Sequence, residues 1–347
     1  MKRLRSGVRA VFLGIVRLSV ARAWSRKLLN AIYLKLNPDQ RSRFHREAAK
    51  LFRANPACEM TATWTVDFHG KPLLMPLTTG RLWLDWDSAL SIVGHDIEVK
   101  LTYLDLISSP EAPDLFLDIG ANYGTHSLLF LIHQIETLSF EPNSACHAVF
   151  RELCDINGMT PQLVAAAVGA DEGNAELCYP ARDTWEGSTN RQFINRLASR
   201  QKLIAERVRQ TTVDRYLARM EDRNVLIKID TEGSEAAVLR GASETLRRVQ
   251  PKVIFECWPG EERGDIFEFL QAHDYEVHAL PWSPMRKSLP LGYSRFVASS
   301  LNNFIALPTM PAIPRNTRRI ASRRCRRDGM GSRTDGENRC AKQRGER

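Results

Sequence analysis

Leu115-Phe116-Leu117-Asp118-Ile119-Gly120-Ala121-Asn122-Tyr123-Gly124 is the stretch on which the fold turns. A near-continuous apolar run stopped by glycine is the pattern of a strand buried on both faces, and so of a parallel sheet. His126–Gln134 follows as an apolar helix, and the alternation then repeats. Strands are expected at Thr137–Phe140, Gln162–Val168, Val225–Asp230, Lys252–Cys257, Tyr275–Leu280 and Asn303–Leu307. Helices are expected at Ser144–Asn157, Thr212–Met220, Glu235–Val249 and Gly264–His273. Repeated βα units imply an α/β, doubly wound, mostly parallel sheet with helices on both faces.

Upstream, Ile97–Ile107 has helical spacing, and Thr61–Phe68, Leu73–Leu77 and Arg81–Trp86 read as short strands around a turn at His69–Pro72. The expected organisation is a basic helical extension (1–50), a small β/helical lead-in (51–110), the main α/β domain (111–310) and an Arg-rich tail (311–347).

Charge separates these parts. Residues 1–50 hold 13 Lys and Arg against 2 Asp and Glu, residues 315–347 hold 12 against 4, and the body between them 24 against 34. The formal net charge of +9 therefore belongs to the ends. An acidic body argues against a nucleic-acid-binding core. Seven scattered cysteines, none spaced Cys-x-x-Cys, suggest neither a disulfide framework nor a zinc knuckle, and fit a reduced cytoplasmic setting. The longest apolar run near the start, Ala10–Val16, is far below the roughly 20 residues a bilayer requires. Val8, Val11, Phe12, Ile15 and Val16 nevertheless form one helical stripe among arginines. Such a basic amphipathic helix over 8–34 either packs on the body or makes peripheral contact with an anionic membrane.

In open α/β sheets ligands bind beyond the carboxyl ends of the strands, so the residues there carry the chemistry. Gly120 and Gly124 are expected to let the backbone turn and approach a ligand closely. Glu141, 23 residues after Asp118, ends the second strand, where a carboxylate can accept hydrogen bonds from both hydroxyls of a ribose. A nicotinamide cofactor would use the same acid, but its Gly-x-Gly-x-x-Gly fingerprint is replaced here by Gly-x-x-x-Gly. The fourth strand emerges as Lys228-Ile229-Asp230-Thr231-Glu232-Gly233-Ser234-Glu235. A lysine within an apolar strand needs a carboxylate partner, which Asp230 on the same face can supply. Glu235 reads as an acid favouring the dipole of the next helix.

Together with Phe140-Glu-Pro-Asn, Ala165-Ala-Ala-Val-Gly and Val238-Leu-Arg-Gly-Ala, these motifs resemble the FkbM family of S-adenosylmethionine (AdoMet)-dependent methyltransferases. The resemblance implies a seven-stranded class I (Rossmann-like) sheet with an antiparallel last strand. It also implies AdoMet as methyl donor and O-methylation of a sugar, lipid or secondary metabolite. Carried over, Asp118, Gly120, Asn122 and Gly124 should line the methionine part of AdoMet, Glu141 should hold the ribose, and Ala166 and Ala167 should lie beside the adenine. Asp230, Glu232 and Glu256 should face the acceptor, with Asp230 as base or positioning acid. Gly187-Ser188 looks like the family's Gly-Ser segment, without roles for its individual residues.

Hard carboxylate oxygens can bind divalent cations, but no supporting histidine or Asp-Asp pair asks for one, and no metal is assigned. His126 either serves the site or merely covers the glycine loop. His95 and Glu98 either close the pocket or start a solvated helix, and Trp185 either stacks on an acceptor or anchors its loop. The acceptor is expected to be a small molecule or glycan. The competing readings are a nicotinamide-dependent Rossmann enzyme, or a non-catalytic or nucleic-acid-binding protein working through its basic ends.

Overall fold

The computed structural model describes residues 62–77, 96–180, 186–260 and 262–309, with eleven positions between 22 and 40. The expected strand at 81–86, His95, Trp185, most of 8–34 and the Arg-rich tail lie outside the described residues.

Seven strands build the main sheet: β3 (Leu115–Ile119), β4 (Glu136–Phe140), β5 (Gln162–Val164), β9 (Val225–Ile229), β10 (Lys252–Glu256), β11 (Tyr275–Ala279) and β12 (Asn303–Pro308). Their order is β11-β12-β10-β9-β3-β4-β5. All neighbours run parallel except β12, which is antiparallel to both β10 and β11. This is the doubly wound, seven-stranded sheet expected from the repeated βα units and the family resemblance. The order reverses between β3 and β9, and their carboxyl tips open the crevice where ligands of such sheets bind.

Side-chain alternation splits the sheet into two cores. Phe116, Leu226 and Ile254 pack with α2 (Thr125–Leu131), α3 (Ser144–Ile156) and α1 (Ile97–Ile107) on one face. Leu117, Ile227 and Val253 pack on the other, against Val238, Leu246, Ile266 and Phe296. The lead-in hairpin, β1 (Ala62–Phe68) and β2 (Lys71–Leu77), buries Val66, Phe68, Leu73 and Met75 in the first core. The Asn157 side chain fixes it there, accepting from Leu74 N at 2.7 Å and donating to Leu74 O at 2.8 Å, as a strand neighbour would.

Two expected elements are broken, for physical reasons. The strand foreseen over Gln162–Val168 ends at Val164, where Ala166 N donates to Val164 O in a tight turn. The chain then enters a second sheet, in which β6 (Ala167–Val168) pairs with β8 (Leu203–Thr211), and β8 with β7 (Gly173–Pro180). These strands expose much of one face, so their apolar alternation was too weak to read. The helix foreseen over Glu235–Val249 divides into α6 (Glu235–Arg240) and α7 (Ser243–Arg248). Asp214, from another segment, accepts from Glu244 N and Thr245 N and so caps α7 as a separate helix. The remaining helices are α4 (Arg191–Ala198), α5 (Leu217–Met220), α8 (Glu262–Ala272) and α9 (Tyr293–Val297).

Candidate active site

A cavity of about 640 Å³ lies beyond the tips of β3, β4, β9 and β10. That volume is in the range of sites for nucleotide-sized ligands. Gly120, Asn122, Glu141, Ala166, Ala167, Asp230, Glu232 and Glu256 all line it.

Asp118 and Gly124 do not, and their expected role is corrected. Asp118 is fully buried beneath the cavity, where its Oδ2 accepts from Ser127 Oγ at 2.6 Å and its Oδ1 lies 3.9 Å from Lys228 Nζ. Burial raises its pKa. It therefore joins α2 and β9 to β3 instead of touching a ligand. The glycines are likewise required by the protein itself. A Cβ at Gly120 (φ +81°) would fall 1.8 Å from the Asp230 carbonyl oxygen, and one at Gly124 (φ +76°) 2.2 Å from the Phe150 ring. Gly120 meets the cavity only as backbone between two touching strand tips.

Lys228 sits across this junction, its ammonium 2.9 Å from Asp230 Oδ2. Burial alone would lower the pKa of this ammonium, but the two aspartates outweigh it and hold the group above its ordinary range. The lysine that the strand pattern singled out is thus clasped by two carboxylates, one structural and one facing the cavity.

Glu141, at the end of β4, is oriented by the backbone. Its Oε1 accepts from Asn143 N and its Oε2 from Asn122 N, both at 2.7 Å. Each oxygen keeps a lone pair for a further donor. Burial pushes this carboxyl up to about 7.

Across the cavity, carboxylate oxygens of Asp230, Glu232 and Glu256 come within 4.8 Å of one another, a spacing at which a cation could also be held. Burial first, and then Asp230, pushes Glu232 up to about 9 and Glu256 up to about 10. Burial and their mutual repulsion thus favour the protonated form of each. Glu256 Oε2 is buried without a hydrogen-bond partner.

The loop that aims Glu232 is held by Ser188, Asn190 and Glu235. Glu232 itself adopts the left-handed region (φ +53°), which a non-glycine residue enters only under constraint. Ser188 donates to Glu232 O at 2.7 Å, and Asn190 Nδ2 donates to Gly233 O. Glu235 turns back from the first turn of α6 to accept from Thr231 N, Thr231 Oγ1 and Gly233 N, so it fixes the loop as well as facing the helix dipole. The Gly187-Ser188 segment is thus a brace for the acidic tip.

The outer wall comes from the start of α1. Asp96, Glu98 and Lys100 line the cavity, and Glu98 accepts from Asn303 Nδ2 at 2.9 Å, which ties α1 to β12. His126 also lines it, 3.0 Å from Tyr103 Oη and 3.4 Å from Lys100 Nζ, so it locks α2 to α1 instead of merely covering the glycine loop.

Arg263 was not anticipated. This fully buried guanidinium donates to the carbonyls of Cys257, Trp258, Phe296, Ser299 and Leu301. It also stacks over Phe296 and Phe304. By gathering these carbonyls it joins the two segments that carry Trp258 and Leu301 to the cavity rim. Neither hydrophobic period nor charge pattern marks a lone arginine of this kind.

With this geometry in place, comparison with known proteins shows what the chain is similar to. Residues 118–277 match the model of the methyltransferase FkbM domain. The resemblance read from the motifs is thus matched over that stretch, somewhat less than half of the chain. Methyltransferase sdnD of Sordaria araneosa is 24% identical over 217 residues, covering 53% of this chain and 83% of that protein. Among solved structures, methyltransferase FkbM from Methylobacillus flagellatus aligns with a TM-score of 0.35 and 13% identity, over 55% of this chain and 42% of its own length. A SAM-dependent methyltransferase from Agrobacterium tumefaciens aligns with a TM-score of 0.37 and 10% identity, over 72% and 71%. These matches support a methyltransferase over the nicotinamide-dependent reading.

The central pair yields a stability prediction. Lys228→Met removes the ammonium hydrogen-bonded to Asp230 at the Asp118–Asp230 junction and should cost about 3–5 kcal/mol, as for a broken buried pair. Urea denaturation checks this, and a loss below about 1 kcal/mol would mean the pair bears little load.

Proposed function

We propose that the chain binds AdoMet at the strand tips and transfers its methyl group to a hydroxyl of a sugar, lipid or secondary metabolite. The observation that carries the reading is Glu141, whose two oxygens are set by backbone N–H groups while the carboxylate faces the cavity. Glu141 would hold the ribose hydroxyls. Ala166 and Ala167 offer a small apolar wall to the adenine, and Asn122 with the start of α1 would border the amino-acid end. The unpartnered Glu256 oxygen and the acidic wall suit a ligand with positive charge. The residues therefore fit the cofactor.

Bound AdoMet supplies a methyl group on a cationic sulfur, the leaving group in an in-line displacement. The chain's task is to align the acceptor oxygen, take its proton and exclude water. Because burial favours the protonated forms of Glu232 and Glu256, the proton of the acceptor hydroxyl goes to Asp230 as that oxygen bonds to carbon. Lys228 holds the Asp230 carboxylate in place at 2.9 Å. Glu232 and Glu256 can donate hydrogen bonds to the acceptor's other oxygens. Trp258 and Leu301, 53% and 42% exposed, give the rim an apolar surface for the rest of the acceptor.

Three outcomes test the assignment. Glu141→Ala should weaken AdoMet binding by about 1–3 kcal/mol, the cost of two unpaired ribose hydroxyls. Wild-type affinity by calorimetry in that variant would count against the ribose site. Proton linkage tests the acidic wall. A cation and two ribose donors favour the ionised carboxyls, so binding should release protons at about pH 7, and affinity should rise with pH up to that point. Calorimetry in buffers of different ionisation enthalpy measures the release, and net proton uptake would contradict the arrangement. Asp230→Asn should keep AdoMet affinity yet lower transfer of labelled methyl to a panel of hydroxylated acceptors about 10²–10⁴-fold. The product should be an alkali-stable ether; label freed as methanol by mild alkali would indicate a carboxyl acceptor instead.

A further inference from the structure

The described positions 24, 25, 28, 31 and 32 are helical, and they carry apolar side chains that are exposed among the described residues. Trp24, Leu28 and Ile32 are 64%, 54% and 52% exposed. Their spacing of four places them on one side, one turn above another. Ala31, next to Ile32, is exposed too. Among the described residues ten large apolar side chains are exposed, and these three fall within nine positions, so the clustering marks a surface.

The helix is tethered at its far end. Lys35 N donates to Ile32 O, and Leu36 packs against the core formed by the hairpin, α1 and α2. Asn37 and Gln40 then exchange reciprocal hydrogen bonds, Asn37 N to Gln40 Oε1 at 3.0 Å and Gln40 N to Asn37 Oδ1 at 2.9 Å, starting a new turn. Leu36 is thus a fixed point from which Trp24, Leu28 and Ile32 extend as an uncovered stripe.

Charge selects the occupant. The stripe lies in the segment with 13 basic residues against 2 acidic ones, followed by a body with 24 against 34. Two copies meeting through this segment would bring like charges together. An anionic bilayer attracts the segment and repels the body. An exposed tryptophan among leucine, isoleucine, lysine and arginine is also the composition of helices that lie at the headgroup boundary. None of the helices in the described residues is long and apolar enough to cross a membrane.

We propose that the face formed by Trp24, Leu28 and Ile32 is a docking surface for anionic lipid membranes, with its basic neighbours meeting the phosphates and the catalytic body left in water. This proposal is independent of the methyl acceptor.

The test is co-sedimentation of the full chain with phosphatidylcholine vesicles, with and without phosphatidylglycerol. Binding should require the anionic lipid, weaken with salt, and fall at least about tenfold in the W24E/L28E/I32E variant. Because the three side chains are exposed, the variant should keep the wild-type melting temperature, and the milder Trp24→Ser should give a smaller loss in the same direction. Equal binding of variant and wild type to anionic vesicles would overturn the proposal, as would equal binding of wild type to neutral vesicles. A variant whose mass in light scattering drops while its vesicle binding is unchanged would assign the face to contact between copies, and would overturn it too.

Discussion

A buried ammonium between two aspartates organises the centre of this protein. Lys228 lies at the tip of β9, and everything nearby is arranged around the need to keep its charge compensated. Asp118 supplies one partner from β3 and is in turn held by Ser127 of α2, which also contacts Ser139 of β4. Asp230 supplies the other and faces the cavity. The two strands meet so closely at this point that Gly120 cannot carry a side chain. Fold and site therefore share one electrostatic junction, and the crevice between β3 and β9 is held open by the same groups that close the core beneath it.

This junction explains why the cavity collects carboxyls without flying apart. Asp118, Glu141, Asp230, Glu232 and Glu256 join Asp96 and Glu98 in or just under it, and burial raises the pKa of Asp118, Glu141, Glu232 and Glu256. Burial favours protons on Glu232 and Glu256, which limits the repulsion. A ligand that brings its own positive charge adds to this compensation and favours the ionised form of Glu141, so affinity and selectivity for a cation arise from one arrangement.

Much of this was legible in the sequence because it obeys period and strand-end rules. β3, β9 and α1 fall where apolar runs and helical spacing placed them, and Glu141 was found because the tip of the second strand is a fixed position in such folds. What escaped depended on long-range contact. Asp118 looked like a ligand-facing acid because its neighbours in sequence are; only burial shows that it points into the core. Ser188 and Asn190 act through the carbonyls of Glu232 and Gly233, more than forty positions away. Arg263 is defined by five carbonyls from two other segments, and no local pattern encodes that. The second sheet was missed because β7 and β8 lack a regular alternation of buried and exposed residues, β7 being exposed over its first half and buried over its second.

The most direct measurement is a crystal structure of the full chain with S-adenosylhomocysteine, the neutral product of methyl transfer. The account predicts the ribose hydroxyls on Glu141, the adenine against Ala166 and Ala167, and the sulfur between Asn122 and the acidic tip at Asp230. A nucleoside bound elsewhere, or side chains closing over the cavity in its presence, would contradict it.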